Sequence, residues 1–427
     1  DELGLALPRS AWRQILGALW WRLRSRIAGL QVRERDDGDV PPQGRERVEA
    51  LLYPGFGAIV TDQILAFYLL SRGAFMALRE GTRRQQVSAM AAETFISQLE
   101  PGGRGRGDRA FAEAKRIAEQ TGESEGLSFA LVYRGVALIQ QGSHLPAEAF
   151  LQRAEKLLET DVAGGAANLA WARMFLAPLT LAKGAIDEGA DRVAQVVADG
   201  RARGDVALEV HAIVGTWYLP DLMLGSPDRT EAEVGRAMRL WNRSSDALDL
   251  MGFYELTCRT RVALYRGEGQ RAYETLRAAR RAIRRSGALN SGTNRALHRI
   301  LLGSTALAAA QEATGAERRR LLREVARSVG SLGFFGDTGR IYSSALRMSA
   351  AAALGDPDAV HAAHSVALSA LVVEDFPLLR AVIDAVVAHS GRDAAGVDVA
   401  LTQLAGLGIR EPAPWLRSWV PLLDLSA

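Results

Sequence analysis

His361 and His364 stand three residues apart, the spacing at which two imidazoles on one helix can share a metal ion. A metal site needs further ligands, and no third Asp, Glu or His lies at a supporting spacing; Asp358 reads as a helix-start residue instead. An ordinary surface or partly buried histidine pair is expected, and no metal. Cys258 lies among Leu256 and Val262, where a thiol acts as a small, inert, semi-buried group. As the single cysteine, it excludes an internal disulfide and any cysteine-cluster metal site. Gly105-Arg106-Gly107 followed by Ala110 fits the letters of a dinucleotide-binding turn. Such a turn works only behind a strand that aims its glycines at a pyrophosphate; helical pattern precedes it here, so a loop is expected. Phosphate-loop, kinase catalytic-loop and zinc-protease motifs are missing from the sequence. The expectation is a chain with no catalytic residues and no cofactor.

Two other sets of residues suit recognition. Around residue 280, at 100° per residue, Ala272, Leu276, Ala279 and Ile283 gather within about 60°. Arg277, Arg280, Arg281, Arg284 and Arg285 occupy the opposite arc. A solvated helix face is the first reading; a site for an acidic partner or a phosphate is the second, with Arg277, Arg281 and Arg284 as its candidates. No aromatic residues interleave with these arginines to stack bases, so nucleic acid is not an expected partner. Trp217, Tyr218, Trp241, Phe253, Tyr254 and Tyr265 cluster in the next stretch upstream. Core packing is their ordinary role. The functional alternative is a groove for a peptide or ligand, with Trp217, Tyr218, Trp241 and Tyr254 as its contacts.

The elements that must position these residues announce themselves by glycine. Gly142, Gly184, Gly225 and Gly267 recur about every 42 residues, and Gly315 and Gly355 echo them, each between two amphipathic stretches. A helix–turn–helix unit of that length cannot bury its own apolar face and must stack on neighbours. Helix pairs are expected at 126–141 with 145–159, 166–182 with 186–203, 206–223 with 229–243, 247–266 with 269–285, 292–313 with 316–331, and 338–354 with 357–373. A last set falls at 377–389 and 394–405, before Pro412, Pro414 and Pro421 close the chain. Gly135, Ala147, Leu151 and Ala154, and again Ala272, Leu276 and Ala279, resemble the small–large–small pattern of the tetratricopeptide repeat. The predicted fold is all-α: a right-handed superhelical solenoid of such pairs with a period of about 42 and no sheet.

Ahead of the repeats, residues 11–30 read as a helix with the apolar stripe Trp12, Ile15, Leu16, Leu19, Leu23, Ile27 and Leu30. The stripe is expected to dock on the end of the solenoid; binding a partner and lying on a membrane are lesser readings. A polar connector, 34–42, follows. Helical pattern then resumes from 45 to 79 with a break at Pro54-Gly55, continues over 84–99, and, after a glycine-rich loop at 101–107, over an unpaired helix at 108–120. The domain division is 1–56, docking helix and connector, and 57–427, solenoid.

Bulk properties fit this. Of the 427 residues 48% are hydrophobic and 24% charged, enough for a large core, and the formal net charge of +3 does not by itself call for nucleic acid. No stretch reaches the roughly 18–20 uninterrupted apolar residues of a membrane span. The acidic start Asp1-Glu2-Leu3 lacks both a basic leader and an initiator Met, so a piece of a longer, cytoplasmic polypeptide is expected.

Leu5-Ala6-Leu7-Pro8-Arg9-Ser10, the Trp/Arg helix, Val32-Arg33-Glu34-Arg35-Asp36 and Val40-Pro41-Pro42 form one familiar stretch. Met238-Arg239-Leu240-Trp241, Gly252-Phe253-Tyr254-Glu255-Leu256 and Ala263-Leu264-Tyr265-Arg266-Gly267-Glu268-Gly269 form another. Together they resemble the C-terminal helical-repeat region of large bacterial serine/threonine protein kinases that also carry an AAA- or NACHT-like ATPase module. The resemblance implies a regulatory scaffold that binds a protein or peptide, or its own upstream kinase and ATPase modules, in signal transduction. It carries over no kinase active-site residue. The rivals are the sensor arm of a repeat-containing transcriptional regulator and a small-ligand-binding helical module. The first needs a helix-turn-helix near a terminus, for which 412–427 is too short and proline-broken.

Overall fold

A computed structural model describes residues 4–32, 37–100, 102–160, 165–241 and 248–422. Among them there is no β-strand, and helices pack neighbour to neighbour along the chain. The connector residues 34–36, Pro101 and the helix ends expected at 243 and 247 lie outside the described residues. The chain divides into two compact units, Asp1–Leu138 with Pro146–Ala172, and Ile139–Leu145 with Arg173–Ala427.

The first unit holds α1 (Ala11–Ala28), α2 (Pro42–Thr61), α3 (Gln63–Glu80), α4 (Arg83–Ile96), α5 (Arg104–Thr121), most of α6 (Ser124–Ile139) and α7 (His144–Thr160), and the start of α8 (Ala166–Ala182). Leu52, Leu70, Val87, Met90 and Ile117 lie in its buried core. The break expected at Pro54-Gly55 falls instead at Asp62, whose carboxylate accepts the Leu65 N–H and starts α3. Gly55 serves packing: a Cβ there would meet Leu70 at 2.9 Å, so α2 approaches α3 closely. Residues 104–107 are not a loop. They form the first turn of α5, which is not unpaired but packs on α4. Gly107 lets that turn close onto Thr94, and Arg106 reaches the Glu93 carboxylate and the Ser25 hydroxyl. The hairpin pattern read at Gly135 is visible: a Cβ there would sit 2.6 Å from Leu151, and Ala147, Leu151 and Ala154 are fully buried.

The expectation for α1 is overturned. The helix docks on α3, but through the opposite face, Gly17, Ala18, Trp21, Arg22 and Ser25, while Trp12, Leu16, Leu19, Leu23 and Ile27 point to solvent. Small residues decide it, because the Tyr68 ring fills the space a Cβ on Gly17 would take. Charge pairing completes it: buried Arg22 donates to Glu93 and Glu100, and Arg106 shares Glu93.

The second unit contains the rest of α8, then α9 (Ile186–Arg203), α10 (Val206–Ala212), a π-helical turn (Ile213–Trp217), α11 (Tyr218–Met223), α12 (Pro227–Leu240), α13 (Leu250–Arg266), α14 (Gly269–Arg285), α15 (Gly292–Glu312), α16 (Gly315–Val329), α17 (Gly336–Leu354), α18 (Pro357–Leu371), α19 (Pro377–Ser390), α20 (Ala394–Gly406) and α21 (Pro412–Trp419). From α12 onward each helix touches the next, and α13, α15, α17 and α19 also touch one another in order. Gly142, Gly184, Gly225, Gly267, Gly315 and Gly355 all have positive φ, between 55° and 84°, the left-handed geometry that a side chain resists.

Of the prolines expected to close the chain, Pro412 instead begins a helix: it starts α21, where its missing N–H costs nothing. This helix returns onto α11, α13 and α15. The Arg410 N–H donates to the Met223 carbonyl at 2.8 Å, Arg417 donates to the carbonyls of Leu264 and Tyr265, and the Tyr265 hydroxyl donates to Glu411 at 2.6 Å. Among the described residues, no helix is long and apolar enough to cross a membrane.

Burial alone would raise the Glu93 pKa, but the Arg22 and Arg106 guanidiniums outweigh it and hold the carboxyl below its ordinary 4.5. A depressed folded-state pKa gives stability that is present above 4.5 and lost as pH falls through the folded value. Glu93→Gln leaves two arginines facing a neutral amide and is expected to cost about 3–5 kcal/mol, read as a lower urea midpoint at pH 7. The difference from wild type should shrink as the pH drops below 4.5; a constant difference would contradict the pairing.

Candidate functional site

Gly269 seats the start of α14 tightly on α15, where an added Cβ would meet Ala308 at 2.8 Å. Ala272, Leu276 and Ile283 are buried, so the helical period turns the arginines outward. Tyr273, Arg277, Arg280 and Arg284 of α14 then line a cleft of 680 Å³ with Arg295, His298 and Arg299 of α15 and Arg320, Glu324 and Arg327 of α16.

Seven guanidiniums therefore surround a space with one carboxylate on its wall. That carboxylate is occupied: Glu324 accepts from the Tyr273 hydroxyl at 3.0 Å and from Arg320 at 3.3 Å, and Arg320 also pairs with Glu317. Arg299 donates to the Ser328 carbonyl, Arg327 to the Arg323 carbonyl, and Arg295 lies over the Phe334 ring. Arg277, Arg280 and Arg284 are exposed and form no ion pair among the described residues. Burial, then Arg299 and Arg280, push the His298 imidazole down to about 4, so it is neutral at pH 7. Its Nδ1 is buried without a hydrogen-bond partner. The wall can thus donate many hydrogen bonds to an anion while accepting few, and arginine forks suit carboxylate and phosphate oxygens.

The candidates read from sequence fall in different places. Arg277 and Arg284 line the cleft; Arg281 is exposed on the same helix but outside its lining. The aromatic candidates do not form one open groove. The Trp217 indole donates to Asp221 at 3.0 Å beneath Arg229, and the Trp241 indole donates to Asp249 at 2.7 Å. Tyr254 donates to Asn294 at 3.0 Å and stacks on His211, and Tyr218 is buried. Cys258 is fully buried and its thiol is pushed far up by burial, more enclosed than the expected semi-buried group. His361 is exposed and His364 half-buried; no group of three His, Cys, Asp or Glu that could hold a metal ion occurs among the described residues.

Two features escaped sequence reasoning. The arginines of α15 and α16 join the cleft only because those helices are neighbours. Arg261, completely buried in α13, donates to the Ser418 carbonyl and lies 3.8 Å from the centre of the Trp419 ring, and burial pushes its pKa down to about 10. A signal for it existed, since residues 254, 258, 261 and 265 share one helical face with otherwise uncharged side chains. No known protein-family model matches the chain, and no curated protein is significantly similar to it.

Arg280→Gln removes one of the charges that disfavour imidazolium at His298. The His298 pKa is expected to rise from about 4, followed by the imidazole proton shifts in an NMR titration. An unchanged pKa would show that Arg280 does not act on the cleft wall.

Proposed function

We propose that this chain is a non-catalytic interaction scaffold of tetratricopeptide-like hairpins, stacked as a right-handed solenoid with a period near 42 residues, whose working surface is the arginine cleft of α14, α15 and α16. Its partner is an acidic protein segment. One observation carries this reading: seven arginines face a single, already occupied carboxylate. Other arginines of the same unit do have carboxylate partners, as Arg201 and Arg236 have Glu209, and Arg266 has Asp228 and Glu231. Like charges crowded around a single acid gain most from an incoming anion. The one aromatic ring from α14 in the lining, Tyr273, is buried and tied to Glu324, which favours a protein anion over stacked bases.

The resemblance to the repeat region of large bacterial kinases supplies a context: a cytoplasmic regulatory region whose acidic partner is a separate signalling protein or the kinase and ATPase modules of the same polypeptide. A second reading rests on size, because 680 Å³ falls within the roughly 300–1,000 Å³ of small-ligand sites. A small polyanion would then fill the cleft.

Fluorescence anisotropy with a labelled Asp/Glu-rich peptide tests the first reading. Binding should weaken as salt rises, and Arg277→Gln/Arg280→Gln/Arg284→Gln should weaken it by about tenfold or more, with little change in melting temperature because all three side chains are exposed. No binding, or equal binding by the variant, defeats the proposal. Thermal stabilisation by pyrophosphate in place of peptide binding would favour the small polyanion.

A further inference from the structure

The outward face of α1 is the largest run of exposed apolar side chains on any one helix of the described residues. Trp12, Leu16, Leu19, Trp20, Leu23 and Ile27 are each 50 to 80% exposed. At 100° per residue all six fall within about 100° of arc, opposite the buried Ala18, Arg22 and Ser25. A continuous apolar strip of this kind marks a surface that something covers.

Charge narrows what that is. Arg13 and Arg24 border the strip beyond Trp20; Arg26, beside Leu19, is already paired with Glu100 at 2.9 Å, so Arg13 and Arg24, with no ion pair among the described residues, carry the free charge. Residues 4–32 contain no Asp or Glu, so nothing on this segment can pair with a second arginine row. A second copy docking by two-fold symmetry would set Arg13 and Arg24 against their own like charges. An anionic bilayer surface is complementary in both respects: lipid headgroups accept the arginines, and tryptophans with leucines settle at the headgroup–acyl boundary. The helix of 18 residues is about 27 Å long and, with Arg22 tied into the protein on its inner side, must lie flat.

We propose that α1 is a membrane-surface docking helix, its Trp/Leu strip entering the interface of an anionic bilayer while its inner face holds α3. This goes beyond the scaffold reading and does not depend on it.

The test is flotation of the whole 427-residue chain with vesicles of phosphatidylcholine alone, or with about one-third phosphatidylglycerol. Wild type should float with the anionic vesicles, less so at high salt, and poorly with the neutral ones. Leu16→Glu/Leu23→Glu should lower the partition at least about tenfold with an unchanged melting temperature, since both side chains are already exposed. The cleft variant Arg277→Gln/Arg280→Gln/Arg284→Gln should still float. Loss of flotation in the cleft variant but not in Leu16→Glu/Leu23→Glu would overturn the proposal and move lipid binding to the cleft. Absence of flotation from wild type overturns it as well, and a dimer in light scattering that Leu16→Glu/Leu23→Glu dissolves would then make a second copy the occupant.

Discussion

Within each of the two compact units the helices bury their apolar sides against their neighbours, and how close two helices come decides what each surface presents. Closeness is set by missing side chains. A Cβ on Gly135 would strike Leu151, one on Gly189 would strike Leu181, and one on Gly303 would strike Val329. Each clash would push two helices apart and open the core behind them, where overpacking typically costs about 1–3 kcal/mol. The same device at Gly269 holds α14 against α15, and so determines that the arginines of three successive helices open on one cleft.

Charge is handled in two opposite ways. Where a guanidinium is buried in the first unit it is compensated, as Arg22 and Arg106 are by Glu93. In the second unit Arg261 donates to a backbone carbonyl and lies over the Trp419 ring, both from the C-terminal segment, with no carboxylate partner among the described residues. With a pKa near 10 it stays protonated at neutral pH, so the returning α21 is part of what makes a buried cation tolerable there. In the arginine cleft, by contrast, the charges stay in solvent with a single acid among them. Exposure makes that arrangement cheap for folding.

The sequence was most informative where backbone geometry dictates residue type. Glycines at positive φ located six of the turns, and the helix pairs between 124 and 406 lie within a few residues of where periodicity put them. It was least informative where the choice depends on a neighbour. The stripe on α1 has the same pattern whether it faces core or solvent, and only the fit of Gly17 against Tyr68 and of Arg22 against Glu93 decides. Pro412 looks the same as a breaker or as the first residue of a helix. Arg277 and Arg284 were legible as one outward arc, but Arg295, Arg299, Arg320 and Arg327 belong to the same site only through stacking. The aromatic residues near 217–254 illustrate the converse, since Trp217, Trp241 and Tyr254 pair with Asp221, Asp249 and Asn294, and Tyr218 is buried.

Amide hydrogen exchange, with and without a saturating acidic peptide, tests the central claim most directly. The account predicts slowed exchange concentrated in α14, α15 and α16, with helices such as α9 and α19 unaffected. Protection centred on other helices, or none despite binding, would contradict it.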